Sequence, residues 1–238
     1  LQILPISTRL GLTGMHRAGV AGALALLLLP LLMSQLAAAP LTGAHLAFLA
    51  AKEGLIGFLL GVIFAAPFWI VETAGELIDQ QRGSRGAVTP HAAGEEESGA
   101  TATLMVLTLT TIFLLSGGMH WLIDALSQSY RIWPAGDLVP HLAPDAIMHV
   151  LGLLDTILAS GLLLASPLLI AMVLAELSLA LISRFVPQMN VFDLSMSVKG
   201  LVQVVGLPVY AVFLITYMRG SLVVLPHVQD ELRLLSGH

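Results

Sequence analysis

Apolar stretches of bilayer-crossing length dominate this chain, and one of them runs directly into the string ETAGELIDQQRG, residues 72–83. It sets Glu72, Glu76, Asp79 and Arg82 immediately after roughly twenty residues apolar enough to cross a membrane. On a helix of about 3.6 residues per turn, Glu72, Glu76 and Asp79 share one narrow stripe. Ile70, Ala74, Leu77 and Ile78 fall opposite. Charge beside hydrocarbon is costly, so such a stripe faces water, a pore or a protein partner. The feature predicts an all-α, polytopic membrane protein with a polar seam that something else must satisfy.

Composition narrows the class further. Of the 238 residues, 57% are hydrophobic and 11% charged. A soluble domain carries about 25% charge, so the composition argues against a water-soluble globule. No polar linker separates two cores, so residues 1–238 read as one membrane domain. The net charge of −5, with no basic run, argues against nucleic acid as a partner. With no cysteine, disulfides, iron–sulfur clusters and thiol catalysis are excluded. The chain starts LQILP, without a visible signal peptide, and reads as missing an N-terminal stretch.

Along the chain, residues 1–12 look like the tail of an apolar segment, followed by a turn with Met15, His16 and Arg17. Helical segments are expected at 20–39, 44–78, 101–130 and 198–218, with residues 83–99 and 131–144 as connections rich in glycine or proline. Residues 145–185 are too long for a single crossing of a hydrocarbon layer of about 30 Å. They read as a kinked rod or a hairpin, and the pattern fits either. Pro30, Pro67, Pro167 and Pro208 put a proline inside nearly every segment. That suggests bent or broken helices packed in protein, where neighbours re-satisfy freed backbone groups.

Several side chains carry candidate chemistry. The acidic stripe reads as a solvated helix end, a partner-facing seam or an ion path. Lys52 and Glu53 sit together in apolar sequence; adjacent helix positions point about 100° apart, so each is expected to need its own partner or a snorkelling route to the interface. Asp155, Glu176 and Arg184 punctuate the 145–185 stretch. His141, Asp145 and His149 have helical spacing, but Pro144 interrupts it, and no metal or cofactor motif is present. No nucleophile elbow or phosphate loop suggests an enzyme.

Four strings in fixed order complete the reading: KEGLIGFLLG (52–61), PFWIVETAGELIDQQRG (67–83), SGGMHWLIDALSQSYRIWP (116–134) and LALISRFVPQMNVFDLSMSVK (179–199). Over essentially the whole chain they resemble the T component of the type III secretion export apparatus, the family shared with the flagellar export protein FliR. The QRG and GEEESG details are more similar to the virulence branch.

The resemblance implies a non-catalytic subunit of an inner-membrane export gate within the secretion basal body, reaching toward the periplasmic side. It implies assembly with the R, S and U components into a helical portal of kinked helices and helical hairpins. Membrane lipid and secreted polypeptides in transit complete the partners, with no cofactor. The family carries another apolar segment ahead of position 1, in line with a truncated start. The expected partner interface comprises Lys52, Glu53, Glu72, Glu76, Asp79, Arg82, Arg184 and Lys199, with a polar corner of Gln188, Met189, Asn190 and Phe192. The resemblance also places a pore plug at residues 86–99, centred on Val88, Thr89, Pro90, His91, Glu95, Glu96, Glu97 and Ser98. The rival is a proton-coupled secondary transporter of small solutes, using Lys52, Asp155 and Glu176; it should show internal repeats, and no convincing one is present.

Overall fold

In the computed structural model, residues 14–36, 43–83, 99–137, 140, 143–144, 146–185, 190–223, 225, 228, 232 and 235 are described. Among them the long elements are all helices: α1 Gly14–Leu36, α2 Gly43–Arg82, α3 Ala100–Leu115, α4 Gly118–Ile132, α5 Ala146–Ser183 and α6 Val191–Leu222. Helices α1, α2, α5 and α6 are each long and apolar enough to cross a membrane, and the bent pair α3–α4 qualifies as a fifth crossing. The all-α expectation holds. Residues Met15, His16 and Arg17, expected in a turn, instead open α1.

Of the bent or broken helices expected at the prolines, none is broken. Pro30, Pro67, Pro167 and Pro208 all lie inside uninterrupted helices. Proline lacks the N–H that would bond the carbonyl four residues earlier. At Pro167 that carbonyl belongs to Leu163, and it accepts instead from Ser166 Oγ at 2.7 Å. The stretch at 145–185 is therefore one rod of 38 residues and not a hairpin.

The break falls at a glycine. Residues 101–130 divide into α3 and α4, which meet at 72°. Gly117 adopts φ 84, a left-handed conformation that is strained for residues with a Cβ. It closes α3 through Gly117 N–H to Leu114 O at 3.2 Å, and its own carbonyl accepts from His120 N–H at 2.8 Å to start α4. A Cβ on Gly118 would collide with the Phe113 ring. That ring packs edge-on to Phe68 at 5.6 Å and to Trp121 at 6.3 Å. SGGMHW is thus a corner.

The chain divides into two compact units: Leu1–Phe68, Thr110–Asp155 and Ser221–His238 in one, Trp69–Leu109 and Thr156–Gly220 in the other. In the first, the corner after α4 is held by polar side chains. Gln35 Nε2 donates to Tyr130 O at 3.2 Å, and Gln35 Oε1 accepts from Ala135 N–H at 2.9 Å. Lys52 Nζ donates to Pro134 O at 2.7 Å. The same ammonium lies 3.0 Å from Glu53 Oε1, so these neighbours do pair, contrary to the sequence expectation. The flexible lysine stem spans the angle between adjacent helix positions once burial removes water as a competitor.

Candidate functional site: a buried carboxylate at a helix start

The polar groups of the second unit gather around the end of α2. Arg82 stands in its last turn, where a cation complements the carbonyl end of the helix dipole. Gly83, with φ 86, closes the helix through its N–H to Gln80 O at 3.0 Å. Ile70, Ala74 and Ile78 are buried, as the apolar face requires, but so is Asp79, at 0% exposure. Glu72 and Glu76 are half-buried.

Asp79 meets the start of α3. Its Oδ2 accepts from Thr101 N–H at 2.8 Å and Ala102 N–H at 3.3 Å, and its Oδ1 accepts from the Thr101 hydroxyl at 2.6 Å. Gln203 Nε2, from α6, donates to the same Oδ1 at 3.2 Å and to Thr101 Oγ1. One turn earlier, Glu76 Oε1 accepts from Gly99 N–H at 3.2 Å. The first N–H groups of a helix lack intrahelical partners, and the dipole there favours negative charge. The i, i+3 spacing of Glu76 and Asp79 therefore supplies one helix with caps from another. Close approach makes it possible: a Cβ on Gly75 would lie 2.6 Å from Ala102 N, and a Cβ on Gly99 would collide with the Asp79 carboxylate.

A second group lies on the same unit. Lys199, with 8% exposure, donates to Glu176 Oε2 at 3.2 Å, and Gln81 Nε2 donates to that oxygen at 3.3 Å. At the start of α6, Asn190 Nδ2 donates to Asp193 Oδ2 at 2.5 Å. Arg184 is exposed beyond α5, and Asp155 is exposed on α5. Lys52 and Glu53 belong to the first unit, as described above. Gln188, Met189 and the whole of residues 84–98, with the expected plug, lie outside the described residues, as does the side chain of Phe192.

Sequence reasoning located Asp79, and Gln81 as an extension of the seam, but not Thr101 or Gln203, which complete the first group. A lone amide in the apolar 198–218 run was the available signal for Gln203.

The family model for "Bacterial export proteins, family 1" matches residues 1–223. The chain belongs to this family of bacterial export proteins. It is 34% identical to "Yop proteins translocation protein T" of Yersinia pestis, over 98% of this chain and 88% of that protein. Against "Surface presentation of antigens protein SpaR" of Shigella flexneri it is 33% identical, over 67% of this chain and 61% of the relative. Against "Flagellar biosynthetic protein FliR" of Escherichia coli K12 the figures are 31%, 61% and 55%. The resemblance drawn from the four sequence strings is borne out: this export protein belongs with the T components of type III secretion. Its role lies in an export apparatus, and its long apolar helices suit a membrane.

Proposed function

We propose that this chain is a structural and gating subunit of the type III export gate. In company with the R, S and U components, it shapes and seals the inner-membrane portal through which secreted polypeptides pass. The passage is powered elsewhere, and the chain performs no catalysis of its own.

The observation that carries this reading is the apolar surface left uncovered. The crossing stretch of α2 is 67% buried, whereas those of α6 and α1 are 17% and 0% buried. Leu26, Leu27 and Met33 on α1, and Val204, Val209 and Val212 on α6, are exposed. Contiguous apolar faces of this kind require lipid or partner proteins. Helices α2 and α5, of 40 and 38 residues, also exceed the membrane. At about 1.5 Å per residue they run nearly twice the hydrocarbon thickness, which an assembly can cover and a bilayer alone cannot.

Glu72, Arg82, Arg184 and the Gln81–Glu176–Lys199 group form the partner-facing seam in this reading. Glu76 and Asp79 stiffen it from within. Residues 88–98 serve as the plug.

The test is expression with and without the R, S and U components, then detergent extraction and mass determination. A large hetero-oligomer that forms only with those partners is expected. A stable small homo-oligomer indifferent to them would refute the gate and favour the transporter. Within the gate, deletion of residues 88–98 should leave assembly intact and raise ion conductance; background conductance from a normal complex would reject the plug.

A further inference from the structure

Gln203 occupies an apolar stretch of α6 at 4% exposure, where packing alone does not call for an amide. Its Nε2 donates to Asp79 Oδ1 and Thr101 Oγ1, while its Oε1 has no partner among the described residues. A buried acceptor left unmatched costs about 1–3 kcal/mol. Methionine, of similar length, would carry no such penalty. An amide retained under that penalty contributes geometry: a single buried polar residue in an apolar helix pair disfavours every alignment that strands it.

Farther along, the α3–α6 contact includes a largely apolar patch. Leu104, Met105 and Thr108 from α3 and Leu207, Ala211 and Ile215 of α6 line a half-open apolar pocket of about 260 Å³. The Thr108 hydroxyl is turned back to Leu104 O at 2.8 Å. Aliphatic surfaces around a void tolerate sliding or rotation, because one set of methyl contacts replaces another.

We propose that Asp79, Thr101 and Gln203 form a register lock that selects one alignment of α6 against the start of α3. Gln203 and Thr101 are its positioning residues. Displacing α6 by one turn, about 5.4 Å, withdraws the Gln203 amide from both oxygens and leaves it buried and unmatched on an apolar helix. The consequence rests on the export-gate reading: the lock presents the apolar faces of α3 and α6 to the gate's other subunits in a single alignment.

The chain contains no cysteine, which gives a clean background for thiol cross-linking in membranes of cells expressing the full chain with its partners. Thr108→Cys is combined with either Ala211→Cys or Ile215→Cys, positions about one turn apart, and the two yields with a short bis-thiol reagent are compared. Gln203→Met is expected to shift the ratio of the two products by about tenfold, the worth of a hydrogen bond to a charged group, and Thr101→Val, which removes only a neutral acceptor of the amide, by about fivefold. Thr101→Ser, which keeps the hydroxyl, should preserve the ratio. A ratio unchanged within about twofold in both variants, at native protein levels, overturns the lock. If Gln203→Met does not accumulate, Thr101→Val against Thr101→Ser decides the matter. Failure of the native chain to associate with export partners would sink the gate reading separately, because the ratio reads helix alignment within one subunit.

Discussion

Replacing Asp79 with alanine removes an acceptor that serves the Thr101 N–H and hydroxyl, the Ala102 N–H and the Gln203 amide. Loss of a helix cap alone costs about 0.5–2 kcal/mol. Each buried donor left unmatched adds about 1–3 kcal/mol, and Thr101 and Gln203 are buried at 4% exposure each. Against this stands the recovered desolvation of a carboxylate that is itself fully buried, worth several kcal/mol in the opposite direction. Because the donors remain buried after the carboxylate is gone, the loss dominates, and a net destabilisation of about 3 kcal/mol is expected. At about 2–4 °C per kcal/mol for a chain of this size, the melting temperature of the purified protein in detergent should fall by roughly 6–12 °C. Asp79→Asn keeps one acceptor oxygen at the same place and should lose about half as much. A melting temperature for Asp79→Ala within about 1 °C of the native protein would refute the capping argument.

Gly75→Ala and Gly54→Ala should separate sharply although both lie in α2. A Cβ at Gly75 meets the Ala102 backbone, which has no flexible end to yield, so about 1–3 kcal/mol of overpacking is expected; at Gly54 nothing lies within 4 Å, and the higher helix propensity of alanine should leave stability equal or slightly raised in the same melting assay. Lys52→Met takes the ammonium from Glu53 and frees Pro134 O; because Glu53 keeps partial contact with solvent, the cost is about 1–3 kcal/mol. Adding Glu53→Gln should recover a large part of that loss, and a strictly additive double-mutant cycle would show that the pair is not coupled.

Much of the architecture was legible from sequence because it follows from solvent exclusion. Long apolar runs with so few charges leave the backbone no option but internal hydrogen bonding, and helices meet that need locally. The four ordered strings carried the family for a related reason: polar residues in fixed positions within apolar sequence are rare enough to be specific.

The local details were decided elsewhere. Proline content suggested bent or broken helices, but all four prolines lie inside continuous ones, and at Pro167 the freed carbonyl of Leu163 accepts from Ser166 instead. The break instead fell at Gly117, where a positive φ joins α3 to α4. Likewise, spacing put Glu76 and Asp79 on one helix face without saying what that face would meet. Their partners, Gly99, Thr101 and Gln203, stand 22 to 124 residues away from Glu76 or Asp79. Periodicity acts within a few turns, so it determined which side chains would need partners. Only the approach of Ala102 to Gly75, possible because one Cβ is missing, determined that Asp79 would find its partners inside its own chain.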